Sequence, residues 1–381
     1  MESSPKIPLL SPRLPTYDKI VPYLKKIDEN RWYTNWGPLT KELERRLASH
    51  FKVETDHLIA VANGTEALTL GLLCMDRPMS ARYCLVPSWT FAATPLAAVH
   101  AGLTPVFIDI DKGQWMTNPR TAHKAISELG LRDGEIHSLM AVSPFGAPVD
   151  MAEWSGFEKE TGIPVLVDAA ASFDALARVD AFYPSALPVM VSLHATKAFG
   201  AGEGALLISK DRDYVLKARK MTNFGFGSSR ESEILGKNSK ISEYGSAVGL
   251  AELDGWPAKR AEWESCTRDY LSFGDRFRRW GVQFMPGYGN GWISSYCNVA
   301  FPSEVEKRIA RKALADVNIE TREWWGMGCH THPSMKHFPK AELSETSILS
   351  SQVVGLPFFA GLNRGQVERV ADVLESAVKV K

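Results

Sequence analysis

The sequence predicts an α/β protein, with a large domain built on a mostly parallel sheet followed by a smaller C-terminal α+β domain. Apolar runs such as LMAV (139–142) and VLVD (165–168) alternate with helical stretches at the spacing of strand–helix–strand units. These runs are continuous rather than alternating, which is the pattern of strands covered on both faces. Past about residue 255 that rhythm stops, and amphipathic helical segments dominate. The resulting division is an N-terminal arm over 1–30, a large domain over 31–255 and a small domain over 256–381.

In chain order, the first thirty residues are rich in proline and polar groups and read as an extended arm laid on another subunit. NWGPLTKELERRLASHF reads as a helix: Pro38 suits a first turn, and Leu39, Leu43, Leu47 and Phe51 repeat every four residues. NGTEALTLGLL follows as a second helix, with Leu68 and Leu72 on one side. RYCLVPS, PVFIDID, LMAVSPFG, IPVLVDAA, PVMVSLHA and GALLIS read as strands, with TFAATPLAAVHAG and DMAEWSGFEKETG as helices between them. Asp150 with Glu153 forms a capping box, and Gly162 is a helix stop. Beyond the sheet, LDGWPAKRAEWESCTRDYLSFGDRF reads as a helix start and linker. GWISSYCNVAF reads as a strand, and PSEVEKRIARKALADVNI and NRGQVERVADVLESAV as helices.

Composition narrows the classes of function. Lys+Arg and Asp+Glu both number 44, so no bulk charge argues for a nucleic-acid partner. No apolar run approaches the ~18 residues of a membrane span, and the N-terminus lacks the apolar core of a secretory signal. The cysteines at 74, 84, 266, 297 and 329 are odd in number and scattered, which predicts reduced thiols in a cytoplasmic protein. Cys329, His330, His332 and His337 lie close together, but without the spacing of a zinc site, so no metal is expected.

Open parallel sheets bind ligands beyond the carboxyl ends of their strands, and three polar signals fall at such places. Asn63-Gly64-Thr65 opens a helix, where free amides favour phosphate, although the same residues also serve as a plain helix cap. Asp168 closes an apolar strand, where a carboxylate is costly without a cation or donors; bonding to a neighbouring loop is the simpler alternative. Lys197 follows Ser192 and His194 in VSLHATKAFGAGEGALLIS. A lysine stripped of its hydration can offer a neutral amine for a Schiff base, and a surface ion pair is the alternative. A phosphate cradle, a carboxylate and an imine-forming lysine are together what pyridoxal phosphate needs, because the carboxylate keeps its ring nitrogen protonated. Gly200, Gly202 and Gly204 permit a tight return, so that Lys197 sits in a turn between two strands.

From WGPLTKELE to the last helix the chain resembles the DegT/DnrJ/EryC1/StrS family of sugar aminotransferases, within the fold type I enzymes that use pyridoxal phosphate. SLHATKAFGAGEG matches the family's lysine segment, PSWTFAAT its ring-stacking segment, and VDAA its aspartate segment. The resemblance makes Lys197 the cofactor lysine and Asp168 the partner of the ring nitrogen. It places Ser192, Gly64 and Thr65 on the phosphate, and Phe91, rather than Trp89, on the ring. GKNSKISEYGSAVGL resembles the segment whose asparagine, here Asn238, reaches the phosphate in the neighbouring subunit, which implies a homodimer with shared active sites. WWGMGCHTHP resembles the substrate-side segment and makes His330 a substrate contact, with Trp324 and Trp325 as ligand-stacking or plain core residues. Many members carry a glutamine near the cofactor's ring hydroxyl, three residues after the aspartate; here that residue is Ala171.

The implied reaction moves an amino group from glutamate to a keto sugar, taken to be a nucleotide-linked 4-keto-6-deoxy hexose. Lys240, Arg230 and Arg322 are candidate cations for a diphosphate. A 3-keto sugar or an unlinked keto sugar acid are the alternative substrates. A sugar dehydratase is a further alternative, disfavoured because the family's dehydratases replace the lysine with histidine. A non-catalytic relative is the last, supported only by Ala171.

Overall fold

The computed structural model describes residues 5–78, 80–178 and 186–379. Two helices come first, α1 (Tyr17–Asn30) and α2 (Pro38–Phe51), then β1 (Leu58–Val61) and α3 (Gly64–Cys74). The parallel units follow as β2 (Tyr83–Pro87), α4 (Ala93–His100), β3 (Thr104–Ile108), α5 (Pro119–Leu129), β4 (Ile136–Val142), α6 (Met151–Thr161), β5 (Val165–Asp168), α7 (Phe173–Arg178) and β6 (Val189–Ser192). Strand β7 (Ala205–Ile208) and α8 (Arg212–Met221) complete this part. Next come α9 (Glu243–Ser272), α10 (Gly274–Arg279), β8 (Gln283–Phe284) and β9 (Cys297–Ala300). The chain ends with α11 (Glu304–Asp316), α12 (Ser344–Gln352), β10 (Val353–Leu356) and α13 (Arg364–Lys379).

Seven strands form one sheet in the order β1-β7-β6-β5-β4-β2-β3. From β6 to β3 every pairing is parallel, and β7 runs antiparallel to both β6 and β1. Strand β1 therefore points the same way as β6, and its carboxyl end opens on the same edge. Strands β5 and β6 are buried along their whole length and β4 at every residue but His137, as their continuous apolar runs require. Strands β10, β9 and β8 make a second, antiparallel sheet.

The fold expected from the sequence holds, with four local corrections. Residues 17–30 form α1, so only the preceding segment is extended. Pro22 lies inside that helix and no side chain caps it, which hid it from pattern reading. The extended segment lies on its own chain: Ile7 exchanges backbone bonds with Asn318 and Glu320, and the Phe358 amide donates to the Leu9 carbonyl. The run read as helix start and linker is the second half of α9, a single 30-residue helix that contains Pro257 and passes unbroken through residue 255. Strand β1 intervenes between two helices that the sequence joins directly.

Candidate active site

The turn between β6 and β7 explains the position of Lys197. Strand register pairs Ser192 with Ala205, and the chain returns through Leu193 N to Gly204 O, Ala195 N to Gly202 O and Ala201 N to Leu193 O. Gly202 and Gly204 take φ of 89° and 154°, values that favour glycine. A side chain on Gly200 would lie 3.1 Å from the His194 carbonyl oxygen. The amide of Lys197 donates to the His194 carbonyl, and the side chain leaves the tip of this turn half-buried.

Asp168 ends β5, next to β6, and is 5% exposed. Its Oδ2 accepts the Thr94 hydroxyl at 2.8 Å and its Oδ1 accepts the Ala170 amide at 3.2 Å. Burial pushes its carboxyl above the usual range, while those two donors and the charge of Lys197 act in the opposite direction. A cationic N–H is the partner that such a buried carboxylate lacks, and a protonated pyridine nitrogen supplies one.

The phosphate end is also assembled at this edge. Asn63 caps α3 by accepting the Glu66 amide at 2.9 Å, and the Gly64 and Thr65 amides lie ahead of that cap at the positive end of the helix. A Cβ on Gly64 would stand 3.7 Å from the Ser192 Cβ, so the helix start and the Ser192 hydroxyl adjoin. Phe91, beyond the end of β2, is 66% exposed, whereas Trp89 is 3% exposed and packs in the core. Of the two aromatic rings in this segment, Phe91 is thus the one left outside the core. The donors, the carboxylate and the lysine thus match the three ends of pyridoxal phosphate.

The remaining expected residues divide. His330 belongs to this edge: its Nδ1 lies 2.6 Å from the Ser88 hydroxyl, just after β2, and burial lowers its pKa. Cys329 beside it is buried, bonds the Thr90 carbonyl and is pushed up to about 12 by burial. Among the described residues no group of three or more histidine, cysteine or acidic side chains is placed to hold a metal ion. Lys240 adjoins the end of β1 through a bridge to Val61; its Nζ donates to Asn223 at 2.8 Å, and burial lowers its pKa. Asn238 is exposed on the same segment, which Lys237 and Ser239 tie to Glu66 on the first turn of α3. Arg230 is exposed on the loop that this segment closes. Arg322 is also exposed, over the Trp324 ring at 5.0 Å, and reaches the cluster around Lys197 only indirectly, through Trp324 and Tyr296.

Two participants escaped sequence reading. Thr94 lies within the quoted FAAT run but carries no spacing signal toward Asp168. Tyr296 comes from the C-terminal part, and its hydroxyl takes a 3.1 Å bond from Lys197 Nζ. The aromatic neighbours form a wall there: Trp325 stacks on Phe145 at 4.0 Å, and Trp324 meets Tyr296 edge-on at 4.9 Å.

Fold and site together define a fold type I enzyme with pyridoxal phosphate as cofactor. A model of the DegT/DnrJ/EryC1/StrS aminotransferase family matches residues 16–375, and the chain belongs to that family. It is 30% identical over 385 residues to protein Rv3402c of Mycobacterium tuberculosis, covering 98% of this chain and 90% of that protein. It is 27% identical over 379 residues to the dTDP-4-amino-4,6-dideoxy-D-glucose transaminase of Escherichia coli, covering 97% and 98%. The crystal structure of DesI in the presence of its TDP-sugar product superposes with a TM-score of 0.85 at 27% identity, covering 99% of this chain and 94% of that one. No helix among the described residues is long and apolar enough to cross a membrane.

Proposed function

We propose that this sugar aminotransferase transfers the amino group of glutamate to a nucleotide-linked 4-keto-6-deoxy hexose. The observation that carries the chemistry is the convergence of Lys197, Asp168, Ser192 and the start of α3 on one sheet edge. The similarity to the Escherichia coli transaminase, over nearly both chains, supports the sugar class. When bound, the cofactor supplies an electron sink for breaking and making bonds at the amine-bearing carbon. Lys197 Nζ would hold the cofactor and, when free, would take and return the proton at the amine-bearing carbon of the substrate. Asp168 keeps the ring nitrogen protonated. Ser192, Gly64 and Thr65 fix the phosphate, and Phe91 covers the ring.

His330 contacts the sugar, and Lys240, Arg230 and Arg322 are the cations assigned to the diphosphate. Asn238 completes the phosphate site of a partner subunit, so the working form is a homodimer. The exposed Phe224 (47%) and Leu235 (90%), on the loop around Arg230, support a covered face there. Five free, buried cysteines support a reducing, cytoplasmic setting.

The test is a spectrum followed by a substrate panel. Reconstituted protein absorbs at about 410–430 nm, as a protonated lysine imine of the cofactor does, and glutamate shifts that band. The glutamate-treated enzyme then returns to the first spectrum with a 4-keto-6-deoxy nucleotide sugar, faster than with a 3-keto isomer or the free sugar. Faster return with either competitor would overturn the substrate assignment alone. Absence of any cofactor band after reconstitution would overturn the whole reading.

A further inference from the structure

We infer that Tyr296 is the hydrogen-bond donor to the cofactor's ring hydroxyl oxygen, and that it sets the protonation of the Lys197-bound cofactor. The inference deepens the proposed function and rests on Lys197 being the cofactor lysine. The need for such a donor is visible in the segment after Asp168. Ala169, Ala170 and Ala171 offer no side-chain donor, and the Ser172 hydroxyl is engaged with Ser143 at 2.5 Å. No side chain on that loop is left to serve a ring oxygen.

Tyr296 stands where one is needed. In pyridoxal phosphate the ring hydroxyl is on the carbon next to the one that bears the aldehyde. Its oxygen therefore lies within hydrogen-bond reach of the nitrogen that lysine contributes. A group already bonded to Lys197 Nζ is placed beside both atoms, and the Tyr296 hydroxyl makes that bond at 3.1 Å. The ammonium also lies 5.5 Å from the tyrosine ring centre. In this arrangement the hydroxyl accepts from lysine, and its own proton has no acceptor among the described residues.

The tyrosine is held rigidly for this task. It is 8% exposed, and its backbone amide donates to the Ser294 hydroxyl at 2.9 Å, which in turn donates to the Phe145 carbonyl at 2.7 Å. Its ring meets Phe145 edge-on at 5.4 Å and Trp324 at 4.9 Å. Tyr296 immediately precedes β9, so the C-terminal sheet contributes a donor to a site otherwise built on the large sheet.

The chemistry fixes the sign of the effect. A donor to the ring oxygen stabilises its anionic form, and the anion shares the proton of the neighbouring nitrogen. Removing the donor makes the oxygen a stronger base and raises the pH at which that proton is lost.

The experiment is a spectrophotometric pH titration of the holoenzyme, following loss of the band near 410–430 nm that marks the protonated lysine imine. Tyr296→Phe keeps the ring and its packing, and should raise the midpoint by about one pH unit. Adding Ala171→Gln supplies a side-chain amide on the loop that follows Asp168 and should return the midpoint most of the way. Circular dichroism confirms that both variants are folded. An unchanged or lowered midpoint in Tyr296→Phe would overturn the inference. So would a raised midpoint that the glutamine leaves in place, because Tyr296 would then act elsewhere than on the ring oxygen. Lack of a band in the wild-type protein would instead sink the assignment of Lys197, so the two failures are distinguishable.

Discussion

In the proposed function Lys197 and Asp168 carry separable parts of the chemistry, and their variants should differ in kind. Lys197→Ala removes both the covalent hold and the proton carrier. Its cofactor band should vanish and turnover should fall by about a thousandfold or more, since positioned proton transfer alone contributes ~10²–10⁴. Asp168→Asn keeps the shape and the bond from Thr94 but cannot hold a negative charge opposite the ring nitrogen. Its band should survive while turnover drops by about 10²–10³. Equal loss of the band in both variants would contradict this division. Both residues were legible because each breaks a rule: a carboxylate ends an apolar strand, and a lysine interrupts two interior ones. Thr94 and Tyr296 break no rule of composition or period. They become visible only when α4 and β9 are brought to the ends of β5 and β6.

Helices whose ends are satisfied from a distance show where element-level reading stops. Helix α2 begins at Gly37-Pro38 with no local side-chain cap. Its first amides are instead taken by Glu243 of α9, which accepts Leu39 N and Thr40 N at 2.8 Å each and the Thr40 hydroxyl at 2.6 Å. Glu243 is 1% exposed, so its loss strands two backbone donors, while the Thr40 hydroxyl keeps Ser246 at 2.8 Å. Glu243→Ala should cost about 3 kcal/mol in denaturant unfolding, more than an ordinary exposed cap; a loss below 1 kcal/mol (~ the worth of one ordinary bond) would contradict the assigned role. The periodic leucines of α2 were readable because they face a single core. Helix α9 was not, because its two halves pack on different partners: α1 and α2 along one part, α10 and α13 along the other. No single apolar stripe marks it.

Across the whole chain, half-buried histidines tie stability to pH. His50 stacks on Phe173 at 4.7 Å, and its Nε2 is buried without a partner. Burial lowers its pKa from 6.5, with Asp174 opposing, and His137 is lowered by burial and by Arg77. Above pH 6.5 both residues are neutral whether the chain is folded or not. Below it the unfolded chain takes up protons that the native state resists, so stability falls as pH drops from 6.5 toward the lowered native values. Glu44 and Glu252 have raised pKa values and work in the opposite direction at lower pH. Comparison with His50→Leu isolates the effect: the gap in urea midpoint between neutral and mildly acidic buffer should be smaller in the variant. An identical gap would contradict it.

In the proposed function the edge shared by β1, β5 and β6 is an amino-transfer site for a keto sugar. The direct measurement is the fate of nitrogen. The holoenzyme is supplied with amino-¹⁵N-labelled glutamate and a nucleotide-linked 4-keto-6-deoxy hexose, and the products are read by mass spectrometry. A labelled amino sugar and 2-oxoglutarate should form in equal amounts, with Lys197→Ala giving neither. A deoxygenated sugar carrying no label, or an unchanged sugar from an enzyme that shows the cofactor band, would contradict the proposed function.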